Sequence, residues 1–531
     1  MWAQRRPPLQ RATLFVLGLS VLGCAREDLD AGLGQIDFPT SARGEAQSHF
    51  LRGVLFLHSF EYASAADEFR AAQVVDPDFG MAYWGEAMTF NHPVWDEQDI
   101  PAARSALDRL APDEAQRGAK TPTEREKAYL QAVEILYGEG TKEQRDTLYS
   151  DAMGRLVAAF PNDPEARAFY ALSLLGLSQG NRDVSTYMRA GAVAQEVFDR
   201  NREHPGAAHY IIHSFDDPVH APLGLTAARA YAEIAPGAAH AQHMTSHIFV
   251  AMGMWDDVVT ANERAASVVN ASLQDSYECG HYNEWLEYGY LQQGRFNDAA
   301  RLLNSCLDDA GRQDIARSPQ ASYAYIRALN IVDTEQWDGD TAAQTLDQVE
   351  MLPRTRYLMA FGNGYAAAQR GDVETARTQL RLMETLSANG NDSGNDLIMQ
   401  SLVRALILRQ EGQTAAALNE LEQASDLEET LPFAFGPPAT AKPPRELLGD
   451  MLLDSNRTDE AFVAYARALA RTPRRAQTLL GAVRAASKIG RTGYAADRYA
   501  ELQEIWRDAD LGVRSLIGSP PVAAAASGGG P

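Results

Sequence analysis

Seven of the eleven histidines lie within one short stretch of the chain, residues 204–247. His209 and His213 are four residues apart, and His243 and His247 repeat that step 34 residues later. Residues four apart share one face of an α-helix. Neutral imidazole is a ligand for zinc and copper. The spacing therefore predicts a metal site to which two helices each contribute a pair of histidines.

Helix packing makes this site geometrically feasible. Packed helices lie about 8–10 Å apart, so two such pairs can meet on one ion about 2.0 Å from each nitrogen. Imidazole suits Zn²⁺ and Cu²⁺ alike, and the spacing does not choose between them. The candidates for a further ligand, or for a hydrogen-bond partner of the ligands, are Asp216, Asp217 and His240.

The same histidines also have an interpretation without metal. Histidine caps helices, bonds neighbouring carbonyl groups, and lines grooves that bind peptides or acidic ligands. His204 and His220 lie next to predicted turns, where this interpretation applies best.

A metal-dependent enzyme that activates water is the alternative function. Such an enzyme needs an open coordination position and a general base. The candidates for the base are Asp216, Asp217 and Glu284. His209 and His213 have the spacing of the zincin proteases, but Tyr210 stands where those enzymes have a glutamate. A phenol with a pKa of about 10 is a poor base at neutral pH, so zincin-type proteolysis is not expected.

A helical pattern begins at Glu45 and positions these residues. Small and large apolar residues recur at helical spacing and end in a proline: Gly53, Phe56, Tyr62, Ala65, Phe69, Ala72 and Pro77. Partial copies follow at Gly294/Phe296/Ala299/Leu303, Gly371/Ala376/Leu380, Gly412/Ala417/Leu421, Ala461/Tyr465/Ala468 and Gly490/Ala495/Tyr499. Small residues let the two helices of a hairpin approach closely, and aromatic residues fill the gap to the next hairpin.

By these residues and the 34-residue step, the chain resembles tetratricopeptide repeat proteins over about residues 45–510. Three segments are similar to a group of exported bacterial tetratricopeptide proteins: MAYWGEAM at 81–88, HYIIHSFDDPVHA at 209–221 and HMTSHIFVAMGMWDD at 243–257. The resemblance implies an all-α, right-handed superhelical solenoid of antiparallel helix pairs. It also implies a scaffold that binds a protein or peptide in its concave groove, and it supplies no reaction.

In such repeats, positions 2, 5, 9, 12 and 13 of the first helix face the groove. Repeat starts at residues 205 and 239 place the four proposed metal ligands at positions 5 and 9. The resemblance therefore implies a binding groove near residues 205–290 and at equivalent faces elsewhere. Its residues are His58, His92, His240, His281 and Glu284, together with Tyr288, a packing residue with one face toward the groove.

The first 24 residues have the pattern of a secretory signal, because arginines precede an apolar run from Ala12 to Gly23. This apolar run is shorter than the roughly 20 residues that a helix needs to span a bilayer. Val21-Leu22-Gly23-Cys24 resembles a bacterial lipobox, which implies lipidation of Cys24. An exported, periplasmic or membrane-anchored lipoprotein is expected, with the outer membrane favoured by Ala25. The alternative is an ordinary cleaved signal.

The rest of the chain divides into three segments. Residues 25–44 are predicted to be a tether, residues 45–515 a superhelix, and residues 516–531, rich in Ala, Gly and Pro, a disordered tail. At this period the superhelix holds about 8–10 helical hairpins. Loops are predicted at 112–122, 389–395 and 431–444, where Gly, Pro and Asn break helices.

Two further features bound the function. A formal net charge of −23 argues against a nucleic-acid partner, since phosphate backbones require a basic face. Cys279 precedes a predicted helix and Cys306 lies near the end of its hairpin partner, so both fall at the same end of the hairpin. A disulfide there would contribute about 3 kcal/mol. The alternative is Cys279 as a soft metal ligand beside His281.

Overall fold

The structure is a computed structural model that describes residues 32–178, 182–272, 279–312, 319–346, 351–388 and 393–518. Helices dominate all of these segments. They are α1 Gly44–His58, α2 Tyr62–Val75, α3 Gly80–Met88, α4 Ile100–Leu110, α5 Glu114–Ala119, α6 Glu124–Leu136, α7 Lys142–Ala159, α8 Pro164–Leu175, α9 Val184–Arg200, α10 Pro205–Phe215, α11 Ala221–Ile234, α12 Ala239–Met252, α13 Trp255–Ser272, α14 His281–Gln292, α15 Phe296–Ala310, α16 Gln320–Thr334, α17 Asp340–Ala343, α18 Pro353–Arg370, α19 Val373–Ala388, α20 Gly394–Gln410, α21 Thr414–Thr430, α22 Pro444–Asp454, α23 Thr458–Arg471, α24 Ala476–Lys488, α25 Thr492–Ile505 and α26 Leu511–Arg514.

The remaining regular structure is small. Two 3₁₀ turns cover Gly176–Ser178 and Ser515–Ile517. A two-stranded antiparallel ribbon joins β1 (Asn91–His92) to β2 (Glu97–Gln98). The all-α repeat fold predicted from the sequence is therefore confirmed. Helices α10 and α12 begin at the residues predicted as repeat starts, 205 and 239.

Glycines set the distance between neighbouring helices. Phe69 of α2 lies between Gly53 of α1 and Gly85 of α3, where an added Cβ would come within 2.6 Å and 2.3 Å of the Phe69 ring. Tyr465 of α23 lies between two glycines in the same way. A larger residue at either glycine would separate the helices, which explains the small residues in the repeat pattern.

The array of hairpins folds back on itself at two places. Near the N-terminus, α1 contacts α10, and the backbone amide of Gln35 donates to the carbonyl oxygen of Glu203 at 2.8 Å. Near the C-terminus, the indole of Trp506 donates to the carbonyl oxygen of Gln292 at 2.9 Å. These contacts join segments far apart in the sequence, and the buried side chains near them, such as His58 and Tyr288, form a packed inner wall.

A buried cluster of charges holds the second closure. The guanidinium of Arg475 donates to Glu446 at 2.8 Å, to Asp333 at 3.1 Å, and to the Tyr288 hydroxyl at 3.3 Å. Arg475 and Glu446 are fully buried. Because a buried charge without a partner is costly, these contacts fix the position of α24 against α14 and α16.

The predicted tether is instead part of the core from residue 32 onward. The ring of Phe38 is buried and packs against Phe50, Trp84 and Tyr129 at centroid distances of 5.2, 5.9 and 5.1 Å. This one large apolar side chain, which has no periodic partners in the sequence, anchors the segment. The signal segment 1–24, the start of the tether and residues 519–531 lie outside the described residues.

Two of the predicted loops lie wholly within the described residues. Residues 431–443 are free of helix, whereas the segment 112–122 contains the short helix α5. In the third predicted loop, residues 389–392 are not among the described residues. Across the described ranges, no helix has the length and apolar character needed to cross a bilayer.

Replacing Phe38 with alanine is expected to lower the free energy of unfolding by about 3–5 kcal/mol, because the ring leaves a cavity in the core. Urea denaturation followed by circular dichroism measures the change. Asp37→Ala, next to it and exposed, is the control and should leave stability unchanged. Equal stability of the two variants would mean that the segment is a tether.

Candidate metal centre

The histidine-rich stretch lies in two adjacent first helices of hairpins, α10 and α12. Every residue of α10 is buried, and so is almost every residue of α12. The histidines of the two helices, together with one from α14, form two groups. The first triad is His209, His213 and His240; the second triad is His243, His247 and His281. Within each triad, one ring nitrogen from each histidine lies within 4.8 Å of the others.

The four histidines predicted as one site thus form two triads, although His213 and His247 also meet at the predicted ligand Asp216. His209 and His213 are joined by His240, and His243 and His247 by His281. This arrangement follows from the positions of the histidines in consecutive repeats. Each triad combines two histidines four residues apart on one helix with a histidine at the start of the next first helix.

In the second triad, the Nε2 atoms of His243 and His247 face each other at 3.3 Å. The other ring nitrogen of each is engaged. His243 Nδ1 lies 2.7 Å from Asn262 Oδ1, and the Asn262 amide donates to the Val258 carbonyl at 2.8 Å, so Oδ1 can only accept. His247 Nδ1 lies 3.2 Å from a carboxylate oxygen of Asp216. Both Nδ1 atoms therefore carry the proton, and both Nε2 atoms present lone pairs.

The 3.3 Å separation has a direct chemical meaning. Two nitrogens bound to one tetrahedral ion at about 2.0 Å lie about 3.3 Å apart. The pair is thus already at ligand spacing. His281, the third member, has a side chain that is 56% exposed, so it is the solvent-facing side of the triad.

In the first triad, His209 is oriented in the same manner. Its Nδ1 donates to the backbone carbonyl of His58 at 2.7 Å, which leaves a lone pair on Nε2. The Nε2 atoms of His209, His213 and His240 are buried and have no hydrogen-bond partner among the described residues. Buried polar atoms usually have partners, so this trio is unusual.

Asp216 lies between the two triads. One oxygen forms an ion pair with Arg182, and the other lies 3.2 Å from His247 Nδ1 and 3.5 Å from His213 Nδ1. Burial raises the pKa of this carboxyl, but the Arg182 guanidinium and the two imidazoles outweigh burial and hold it well below its usual range. Asp216 is therefore an anion that orients one histidine of each triad.

Burial also sets the protonation state of the histidines. It lowers the pKa of His209, His240 and His243 well below 6.5, and that of His247 to a lesser degree; the neighbouring imidazoles lower them further. At neutral pH these side chains are neutral, which is the form that binds metal.

An aromatic residue from a distant turn covers each triad. Phe60, between α1 and α2, lies with its ring 4.2 Å from that of His209 and 5.6 Å from that of His240. Its φ of 54° is in the left-handed region, which costs about 1–2 kcal/mol for a residue with a side chain. Phe435, in the loop 431–443, stacks on His247 at 5.7 Å. Tertiary packing therefore holds both rings over the histidines.

The turn that carries Phe60 also fixes the start of α12. The carboxylate of Glu61 accepts a hydrogen bond from the backbone amide of His240 at 3.1 Å. A carboxylate at a helix N-terminus satisfies an unpaired amide and interacts favourably with the helix dipole. One turn thus positions the helix and covers its histidines.

Several residues predicted to line a binding groove are instead buried or lie elsewhere. His58 is fully buried, with hydrogen bonds to Glu165 at 2.7 Å and to Tyr210 at 2.9 Å. Tyr288 is buried in the second closure. His92 lies in β1, because α3 ends at Met88. The closures of the array explain the difference, since they fill the inner wall with packed side chains.

The predicted acidic residues play different roles. Both oxygens of Asp217 are engaged, one by the backbone amides of Val219 and His220, the other by Arg182 and the His220 ring. Asp217 therefore stabilises the turn after α10. Glu284 lies 4.0 Å from His281 Nδ1, and burial raises its pKa to about 7.

Two other predictions concern capping and covalent bonding. His204 accepts a hydrogen bond from the Ala207 amide at 3.1 Å and so caps α10. Cys279 and Cys306 form a disulfide, with their Cα atoms 4.6 Å apart. The disulfide ties the start of α14, and hence His281, to α15.

Sequence reasoning missed Arg182, Asn262, Phe60 and Phe435. None of them shares a spacing with the histidines, and each reaches the site through the tertiary fold. The only available signal was for Phe435, whose loop is marked by prolines.

Comparison with known proteins addresses the fold. Residues 311–484 match the family described as a tetratricopeptide repeat-like domain. The match covers about a third of the chain and supports the repeat fold there. The histidine triads lie before the matched residues. No curated protein matches the chain.

Solved structures with some similarity are also helical repeat proteins. They include the TPR domain of P58(IPK), with 13% identity, 85% of this chain and 99% of that chain covered, and a TM-score of 0.24. Yeast Tom70 has 14% identity, coverage of 87% and 92%, and a TM-score of 0.26. A human IFIT1 dimer with m7Gppp-AAAA has 12% identity, coverage of 88% and 87%, and a TM-score of 0.32.

Glu165 connects two further histidines. Its carboxylate lies 2.7 Å from His58 Nε2 and 3.1 Å from His204 Nε2, and all three residues are fully buried. Burial raises the pKa of Glu165, but His204 and His58 lower it to about 2. These ring nitrogens have partners, unlike those of the first triad, so this cluster is a structural element.

The variant Glu165→Gln is expected to lose about 3 kcal/mol of stability at pH 7, because it removes a buried charge from two imidazoles. Glu165 stays ionised in the folded protein down to about pH 2, whereas the unfolded chain takes up the proton near pH 4.5. Its contribution is therefore complete above pH 4.5 and is lost as the pH falls toward 2. Chemical denaturation between pH 3 and 7 should show the two proteins converging at low pH.

The exposed residue Glu203, changed to Gln, is the control for this series. The free energy of unfolding of this variant should equal that of the original protein at every pH. A constant difference between Glu165→Gln and the original protein across the range would contradict the assigned ionisation.

Proposed function

We propose that this chain is a metal-binding tetratricopeptide repeat protein, with a transition-metal site centred on His243 and His247. The observation that carries the proposal is the pair of Nε2 lone pairs facing each other at 3.3 Å. Facing lone pairs repel unless a cation lies between them. A proton there would place an imidazolium in the buried core, whereas a metal ion uses both nitrogens at their present spacing.

The surroundings of the two nitrogens support the same conclusion. Ligating histidines in metal sites usually donate their other N–H to a carboxylate or carbonyl, which fixes the tautomer and the ring orientation. Asn262 and Asp216 have these roles here. His281 supplies a third nitrogen on the exposed side. Such a set of imidazoles suits Zn²⁺ and copper ions.

The repeats provide the second part of the proposed function. Tetratricopeptide-like repeats are typical scaffolds for protein–protein interaction. We place a protein or peptide partner on the array, with the metal site as a structural brace or as cargo. The inner wall around His58 and Tyr288 is unsuitable for the partner, because it is filled.

Protein purified without a histidine tag is expected to contain zinc or copper, and His243→Ala/His247→Ala is expected to lose the ion held by the second triad. The loss follows from removing both nitrogens at ligand spacing. Elemental analysis after dialysis measures the content. Added metal should also raise the melting temperature of the original protein more than that of the variant, since ligands stabilise the state that binds them.

The control is His92→Ala, which removes a histidine outside both triads and should retain the metal. Similar metal content in the double variant and the original protein would exclude this site. Circular dichroism of both variants establishes that they are folded.

We propose further that the protein is exported and anchored by a lipid on Cys24. The support is the sequence of residues 1–24, in which arginines, an apolar run and a lipobox-like cysteine follow one another. The disulfide between Cys279 and Cys306 is consistent with an oxidising compartment. A periplasmic position, with the anchor in the outer membrane, is the proposed location.

Cys24→Ser is expected to abolish incorporation of a labelled fatty acid in a bacterial host. It should also move the protein from the membrane fraction to the soluble fraction. Fractionation and label counting check both results. Cys306→Ser is the control and should keep its label. An unlabelled original protein would instead indicate an ordinary cleaved signal.

A further inference from the structure

We infer that the first triad binds a second metal ion, so that the protein holds a two-ion centre whose halves are joined by Asp216. This inference rests on the proposed function, because it extends the same helices and ligand type. The two proposals differ in the number of ions. One ion at the second triad satisfies the proposed function, whereas the two-ion centre requires an ion in each triad.

The ligand atoms of the first triad are without partners in the part of the chain that the structure describes. The Nε2 atoms of His209, His213 and His240 are buried and have no partner among the described residues. The lone pair of His209 Nε2 is fixed by the bond from Nδ1 to the His58 carbonyl. Three convergent imidazoles within 4.8 Å of one another are a ligand set for zinc or copper.

The histidine pairs of the two triads occupy equivalent positions of consecutive repeats. His209 and His213 on α10 correspond to His243 and His247 on α12, one 34-residue step later. The third ligand comes in each case from the first turn of the next first helix: His240 in α12 for the first triad and His281 in α14 for the second. If the second triad binds an ion through this arrangement, the first has the same arrangement.

The two triads share the carboxylate of Asp216. A single oxygen of Asp216 lies 3.5 Å from His213 Nδ1 and 3.2 Å from His247 Nδ1. It therefore orients one ligand of each triad. As an anion between two cations, it also reduces their mutual repulsion. Arg182 holds the carboxylate in place from the opposite side.

The two triads lie close together. The rings of His213 and His247 are 5.6 Å apart between centroids, and those of His240 and His243 are 6.1 Å apart. Ions bound in the two triads would be close enough to interact magnetically. Phe60 covers the first triad as Phe435 covers the second, so each ion has one face shielded from water.

The test is a titration of metal-free, full-length protein with Cu²⁺, and separately with Zn²⁺, followed by native mass spectrometry. The original protein is expected to bind two ions per chain. His209→Gln/His240→Gln should bind one ion, held by the second triad, and His243→Gln/His247→Gln should bind one ion, held by the first. His92→Gln, outside both triads, should bind two.

Electron paramagnetic resonance of the copper-loaded samples gives an independent readout. The original protein should show coupled copper ions, either as a half-field signal or as lost signal intensity. Each double variant should show the spectrum of an isolated ion. This readout needs no folded variant, because coupling in the original protein alone supports the pair.

The outcomes separate the two proposals. One ion per chain with an uncoupled spectrum overturns the two-ion centre; if His243→Gln/His247→Gln removes that ion, the proposed function stands. No ion in either metal titration overturns both proposals. Two ions that persist in His209→Gln/His240→Gln overturn the assignment to the first triad.

Discussion

The ion pair between Asp216 and Arg182 is the interaction on which the candidate centre depends. A carboxylate in a buried, histidine-lined space is stable only with a cation beside it, and Arg182 supplies that charge. Because Asp216 remains an anion, the imidazoles of His213 and His247 present an N–H toward it and a lone pair away from it. The direction of two lone pairs, one in α10 and one in α12, thus follows from one charged contact just outside α9.

The sequence contained the repeat and the placement of the histidines on it. The 34-residue step put two pairs of histidines at equivalent places, and α10 and α12 begin where that step predicts. Periodicity is a local property, so helices and their registers can be read from it. It did not show that His240 and His281 divide the four histidines into two triads, since this depends on how consecutive helices face each other.

The residues that complete the site could not be predicted for the same reason. Phe60, Asn262 and Phe435 reach the histidines from turns and helices whose spacing carries no common period. Likewise Phe38 gave no signal, although it turns a supposed tether into part of the core. Two residues predicted to line the groove, His58 and Tyr288, are instead buried, because the array folds back on itself through contacts such as the indole of Trp506 on the Gln292 carbonyl.

The loop 431–443 adds a consequence for the rates of exchange at the second triad. Its Gly436 lies against Trp285, where an added Cβ would come within 2.6 Å of the ring, and its Phe435 stacks on His247 while remaining 44% exposed. This loop belongs to the part of the chain that matches the tetratricopeptide repeat-like domain. An ion bound beneath it would exchange with solvent on the side of His281, whose side chain is 56% exposed. A partner that covered His281 would then slow both the entry and the release of the ion.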